Sequence, residues 1–230
     1  MVLHGLQKMT LLDFPGKVAA TVFTGGCNFR CPFCHNARLV TDLSESVEIK
    51  DEEIFRFLAG RRGLLDGVCV TGGEPLLLPD IVPFIHRVRD MGFAVKLDTN
   101  GSFPARLKEL VGAGLVDYVA MDIKNCKEKY AETAGLETFD LTPVEESVRY
   151  LMEGHVDFEF RTTVLKDFHT PADIESLSAW IAGAPRYFLQ NFVDSGGLIK
   201  EGLSPLSREE LNALLTAARR HVPAAQLRGV

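Results

Sequence analysis

The 230-residue sequence has no apolar run approaching the length of a membrane span, so nothing in it reads as a transmembrane helix. Its first eight residues lack the apolar core and small-residue cleavage site of a signal peptide, which makes the cytoplasm the expected location. It also lacks a basic stripe. The formal net charge is −6 with acidic and basic residues interspersed, and this argues against nucleic acid as a partner. No internal repeat and no low-complexity linker divides the chain. The expectation is a single domain over residues 1–230, with an N-terminal extension (1–17), a core (18–192) and a C-terminal tail and helix (193–230). A disulfide framework is missing as well. The five cysteines are odd in number, three of them crowd at Cys27, Cys31 and Cys34, and Cys69 and Cys126 stand alone. Cys69, in an apolar strand, reads as a small buried hydrophobe, and Cys126 as a loop thiol.

What the sequence does have is alternation. Apolar runs of strand length at 18–23, 68–71, 94–98, 118–122, 158–164 and 187–190 are rich in Val, Phe, Leu and Ile, as strands covered on both faces are. Helix signals lie around them at 50–61, 79–91, 104–111, 143–153, 171–181 and 207–221. Pro104, Pro143 and Pro171 sit where a first helical turn tolerates proline, and Thr142 and Thr170 stand in N-cap positions before the last two. Six β–α units fall short of the eight of a closed barrel. The expected fold is α/β, a partial (β/α)6 barrel with a parallel sheet and outer helices. The segment 5–17 reads as an edge strand or hairpin that covers one end of it.

In parallel β/α folds, chemistry is assembled at the carboxyl ends of the strands, and the unusual residues of this sequence sit there. The first strand runs into Gly26, Cys27, Asn28, Phe29, Arg30, Cys31, Pro32, Phe33, Cys34 and His35, a C-x3-C-x2-C run. Thiolates at such spacing hold iron–sulfur clusters, usually four per four-iron cluster, so three leave one iron open to a further ligand. Zinc is the main rival. A structural zinc site shows four Cys or His ligands, and His35, adjacent to Cys34, is poorly placed to complete a tetrahedral set. The second strand ends in Gly72, Gly73, Glu74 and Pro75, where glycines permit close approach of a ligand and Glu74 offers a carboxylate to an amine. The third ends in Asp98, Thr99, Asn100 and Gly101, acceptors suited to ribose hydroxyls or a small cation. Asp122 and Lys124 share a face of the fourth strand, either as an ion pair or as two site residues. Arg161, a cation in an apolar strand, needs an anionic partner: a ligand carboxylate, Glu74, Asp98 or Asp122. His86 and His155 read as surface or packing residues, and His169 as a solvent-exposed loop histidine.

This combination of C-x3-C-x-aromatic-C, GGEP and a partial β/α barrel resembles the radical S-adenosylmethionine (SAM) superfamily. Cys34, His35 and Asn36, the Asp98–Thr99–Asn100–Gly101 run, and Asp122, Ile123 and Lys124 resemble the glycyl-radical-enzyme activases. The stretches 5–17, 118–124 and 160–164 are most similar to the longer form of anaerobic ribonucleoside-triphosphate reductase activating proteins. The resemblance implies that Cys27, Cys31 and Cys34 ligate one [4Fe–4S] cluster and that the amino and carboxylate groups of SAM chelate the fourth iron. It implies further that Phe33 and His35 lie along the adenine, and that Gly72, Gly73 and Glu74 receive the methionine amino group. Asp98, Asn100, Lys124 and Arg161 would surround ribose and carboxylate, with Gln190 a weaker carry-over. The implied activity is reductive cleavage of SAM to a 5′-deoxyadenosyl radical that makes a glycyl radical on a partner enzyme, here anaerobic ribonucleotide reductase. An electron donor such as flavodoxin or ferredoxin would be required, and a monovalent cation is a further expectation near Asp98 and Asp122. The alternatives are an activase of another glycyl-radical enzyme such as pyruvate formate-lyase, a radical SAM enzyme for a small molecule, and a non-enzymatic iron–sulfur electron carrier.

Overall fold

A computed structural model of the chain describes residues 1–44, 46–194 and 196–229. The strands are β1 (Val2–Leu3), β2 (Gly5–Thr10), β3 (Ala19–Thr24), β4 (Ile49–Lys50), β5 (Gly67–Gly72), β6 (Ala94–Thr99), β7 (Tyr118–Asp122), β8 (Asp157–Val164), β9 (Tyr187–Asn191) and β10 (Gln226–Arg228). The helices are α1 (Ala37–Thr41), α2 (Asp51–Ala59), α3 (Ile81–Asp90), α4 (Pro104–Gly112), α5 (Tyr130–Thr133), α6 (Thr142–Met152), α7 (Pro171–Trp180) and α8 (Arg208–Arg219). Eight strands form one sheet in the order β10-β9-β8-β7-β6-β5-β3-β2, and β1 pairs with β4 in a small antiparallel pair.

The six expected strands are β3 and β5 to β9, all parallel neighbours within a residue or two of the expected limits. The α/β, mostly parallel architecture is therefore the one the alternation of the sequence calls for. Two strands extend it. Antiparallel β2 lies outside β3, and β10 adds in parallel to β9. β10 is three residues long and carries no apolar run, which is why pattern reading passes over it.

The central strands are apolar on the face that the helices cover, and their alternate residues, Lys96, Asp98, Asp122 and Arg161 among them, face the barrel interior. Val68, Val70, Val95, Leu97, Val119 and Met121 are all fully buried. Thr170 caps α7 through a reciprocal capping box with Asp173, and Ser207 caps α8 in the same way with Glu210. Thr142 differs from expectation. It is the first helical residue of α6, because Asp140 accepts its backbone N–H at 3.0 Å and Leu141 takes the cap position.

The segment after β2 closes the end of the barrel away from the cysteine loop. Phe14, 2% exposed, packs with Ala19 and Tyr118 at the starts of β3 and β7, and Asp13 accepts the Thr21 hydroxyl at 2.6 Å. Leu11 and Leu12 in the same turn point outward. Replacing Phe14 by Ala removes a buried ring from this plug and is expected to cost about 3 kcal/mol in urea unfolding of the ligand-free protein. Leu12→Ser in the same turn is expected to be neutral within about 0.5 kcal/mol.

Candidate functional site

The cysteine loop leaves β3 at Thr24 and is welded to the end of β5 by backbone contacts. Gly73 N–H donates to Thr24 O at 2.9 Å, and Glu74 N–H to Gly26 O at 2.8 Å. A Cβ on Gly73 would overlap the Gly26 carbonyl, and Gly72 adopts φ +120° against Thr24, so both positions require glycine. The two glycines thus serve the approach of backbone to backbone as well as the cavity they border. Asn36 donates to the Gly72 carbonyl at 2.8 Å, and Asn28 donates to Ser102 at 2.9 Å, tying the loop to the ends of β5 and β6.

The resulting cavity, about 230 Å³, lies at the carboxyl ends of the strands. Its walls carry Cys27, Cys31, Cys34, Phe33, His35, Gly72, Gly73, Asp98, Asn100, Lys124, Arg161 and Gln190, with Asn36, Thr99 and Asp122 beside them. Elements 27 to 190 in sequence are brought onto one surface by the parallel sheet.

Glu74 is the sequence-derived site residue that the fold withdraws. It is fully buried, does not border the cavity, and its carboxylate accepts Leu76 N–H at 3.1 Å, Thr99 Oγ1 at 2.8 Å and Asn100 N–H at 2.7 Å. Burial pushes its pKa up to about 7 against these three hydrogen bonds. Its role is to brace the end of β5 to the end of β6, and the expectation that it offers a free carboxylate to an amine is corrected. His169 is corrected too. It is buried, with its ring between Lys124 O at 2.9 Å and Leu165 N at 3.3 Å, because the loop after β8 folds back over β7. His86 and His155 sit on the surface beside Asp90 and Glu153.

The interior charges form an alternating chain. Lys124 Nζ meets Asp122 at 3.1 Å; Arg161 meets Asp122 at 2.9 Å and Asp98 at 3.2 Å; and Asp98 pairs with Lys96. The partners of Arg161 are therefore Asp98 and Asp122. Three cations and two carboxylates leave one positive charge, and Lys124 has N–H groups to spare beside the cavity. Burial opposes the charges of the two aspartates, but Arg161, with Lys96 at Asp98 and Lys124 at Asp122, outweighs it. Asp98 is held below the usual carboxylate range and Asp122 is lowered to about 2. Lys96, 2% exposed, is a participant that sequence reading misses, since a lone Lys in an apolar strand looks like a surface residue until its period-two partner Asp98 is considered.

The thiols are unequal. Cys27 Sγ accepts Phe29 N–H at 3.3 Å, with Asn100 Nδ2 at 3.8 Å, and burial pushes Cys31 up to about 11. Metal ligation requires thiolates, so loading a metal group here releases protons. Among the described residues, no three His, Cys, Asp or Glu side chains are gathered closely enough for a single ion. His35 turns away from the cysteines, its ring stacked on Phe192 at 5.9 Å and its Nε2 2.9 Å from Val193 O. Three thiols spread along one wall suit a group with several metal atoms better than one tetrahedral ion.

Replacing Arg161 by Met removes the cation shared by two buried carboxylates and leaves each with a single lysine, which is expected to cost about 3 kcal/mol near pH 7. Because the folded pKa of Asp122 and of Asp98 lies below the unfolded value, the stability they contribute is present above about pH 4. It is lost as pH falls through the folded pKa, about 2 for Asp122. Urea unfolding of the ligand-free protein at pH 7, 4 and 3 should show a steeper acid loss in the parent than in Arg161→Met; parallel curves would contradict this electrostatic assignment.

Residues 21–181 match the radical SAM superfamily. Among similar proteins is a "Putative glycyl-radical enzyme activating enzyme" of Methanocaldococcus jannaschii, 30% identical over 100% of this chain and 96% of its own. A pyruvate formate-lyase-activating enzyme of Listeria monocytogenes is 26% identical over 79% of this chain and 76% of its own. The fold is like that of a radical SAM methyltransferase from Sphaerobacter thermophilus, with TM-score 0.74 and 15% identity over 96% of this chain and 68% of that one. By the extent of the superfamily match and the full-length similarity, this chain belongs to the radical SAM superfamily.

Proposed function

We propose that this chain is an activase that generates a glycyl radical on a partner enzyme, and that the partner is anaerobic ribonucleoside-triphosphate reductase. The superfamily implies a [4Fe–4S] cluster and SAM. The donor set is consistent with both, with three thiols on one wall and a net positive, hydrogen-bonding wall facing them. In this reading Cys27, Cys31 and Cys34 hold the cluster. Phe33 and His35 flank the adenine, and the backbone of Gly72 and Gly73 takes the amino group without the Glu74 side chain. Lys124 and Arg161 attract the carboxylate, while Asp98, Asn100 and Gln190 complete the wall.

When bound, the two cofactors supply a one-electron cleavage that, with a hydrogen atom taken from a glycine Cα, yields methionine and 5′-deoxyadenosine. The electron comes from a protein donor such as flavodoxin or ferredoxin. The chain's own residues orient and shield. The welded loop fixes the thiols relative to the Gly72–Gly73 backbone, and the Asp98–Arg161–Asp122 bridge holds the cations in place before any ligand arrives. A monovalent cation at Asp98 and Asp122 would have to share them with Lys96, Arg161 and Lys124, so we propose none there.

The observation that carries the activase reading is the full-length similarity to a protein named for glycyl-radical enzyme activation. The choice of reductase rests on the resemblance of segments 5–17, 118–124 and 160–164. The Listeria relative favours pyruvate formate-lyase as the second reading.

Anaerobically reconstituted protein with reductant and SAM is expected to form 5′-deoxyadenosine, at a higher rate with the reductase than with pyruvate formate-lyase. Formation unaffected by either partner would overturn the activase reading, and preference for pyruvate formate-lyase would overturn the partner. Cys31→Ala is expected to abolish the visible absorbance of the cluster, whereas Cys69→Ala, on β5 beside Lys96 and Asp98 and outside the cavity wall, retains it.

A further inference from the structure

Asn100 follows β6 at the cavity wall, is 6% exposed, and has its side chain committed before any ligand arrives. The Ser102 backbone N–H donates to Asn100 Oδ1 at 2.9 Å. A backbone N–H can only donate, so this one bond decides which end of the carboxamide is oxygen. The Asn100 amide must face the other way. Its Nδ2 donates to Asn28 Oδ1 at 3.0 Å, Asn28 Nδ2 donates to Ser102 Oγ at 2.9 Å, and the Ser102 hydroxyl donates back to Asn100 Oδ1 at 2.6 Å. Three side chains close a ring in which every donor has a fixed direction.

The ring uses one of the two hydrogens on Asn100 Nδ2. The other is placed toward Cys27 Sγ, 3.8 Å away, the sulfur that also accepts Phe29 N–H at 3.3 Å. Among the described residues, neither Cys31 nor Cys34 receives a side-chain donor in this way. Tying the cysteine loop to the end of β6 needs only the bond from Asn28 to Ser102, so that task does not account for the direction of the Asn100 amide. The sulfur does. A thiol is a weak acceptor, but a metal-bound thiolate is a charged one and forms a stronger bond with the same N–H. A reversed carboxamide would set its oxygen against that charge.

We infer that the Asn28–Ser102–Asn100 ring holds an N–H donor on the Cys27 thiolate of the loaded cluster, and that this donor makes the cluster easier to reduce. The inference rests on the assignment of Cys27 as a cluster ligand. Reduction adds one electron and one negative charge, and hydrogen bonds to cluster sulfurs stabilise the more negative state. Asn100 is in this role a positioning residue that acts through Cys27. Both of its amide hydrogens are engaged, which leaves donation to the ribose to other residues of the wall.

Asn100→Leu removes the donor without adding charge, and Asn100→Asp keeps the shape while turning the donor into an acceptor. In reconstituted protein without SAM, followed by spectroelectrochemical titration, both variants are expected to show a more negative midpoint potential than the parent. The expected size is a tenfold drop in the reduced-to-oxidised ratio at fixed potential, which is about 59 mV for one electron. Ser102→Ala opens the ring but keeps the backbone N–H that orients Asn100, so its midpoint is expected to move the same way by less; it carries the test if the Asn100 variants do not fold or load. An Asn100→Leu midpoint that is unchanged or more positive overturns the inference, as does an unchanged Ser102→Ala midpoint where only that variant holds a cluster. A second measurement reads the bond itself. Exchange of the parent into deuterium oxide is expected to shift an iron–thiolate stretching band in the resonance Raman spectrum, and by more than in the variants that load; a parent shift no larger than theirs would also contradict the bond. If Cys27→Ala keeps an intact cluster, the ligand assignment itself fails, which is a separate outcome.

Discussion

The structure depends on the contact between two short stretches of backbone, the Gly26 carbonyl and the Gly73–Glu74 peptide. It joins the loop after β3 to the end of β5 at a distance no side chain permits. Everything that makes the cavity a site follows from that weld. The thiols face the glycine strip, Asn36 reaches the Gly72 carbonyl, and Glu74 turns inward to hold Thr99 and Asn100. A loop carrying three reactive thiols would otherwise be free to move, and chemistry that requires reacting groups held within a fraction of an ångström does not tolerate that freedom.

The second constraint is electrostatic. Small β/α barrels are commonly filled by layers of Val, Ile and Leu, whereas here the interior beneath the cavity holds the alternating run Lys124, Asp122, Arg161, Asp98 and Lys96. Alternation makes such a run tolerable, since each buried charge has a partner of opposite sign. The odd count leaves a net positive charge facing a wall of thiols. Ligands with a carboxylate, and sulfur that becomes anionic on metal binding, are both favoured by it. The barrel interior thus prepares the field of the site, and the hydrophobic core lies between sheet and helices instead.

Much of this was legible in the sequence, for physical reasons that differ by element. The six central strands stand out because burial against the helices forces apolar residues at every second position of short segments bounded by turn signals. The cysteine loop stands out because closely spaced thiols have few other uses in a chain without a disulfide framework. Glu74 was misread because its sequence shows a carboxylate beside glycines and cannot show that Thr99 and Asn100, 25 and 26 residues later, turn their donors toward it. His169 was misread as exposed, since only the fold-back of its loop onto β7 buries it. Lys96 carries no motif at all. Its importance lies in what surrounds it, and a period-two reading of β6 is the only sequence signal that would have paired it with Asp98.

The central claim is that a hydrogen atom passes from a protein glycine to the adenosyl group. The most direct measurement supplies the loaded protein with SAM, reductant and an anaerobic ribonucleotide reductase made with Cα-deuterated glycine, and weighs the 5′-deoxyadenosine by mass spectrometry. The account predicts 5′-deoxyadenosine carrying one deuterium; unlabelled 5′-deoxyadenosine formed at an undiminished rate would contradict it.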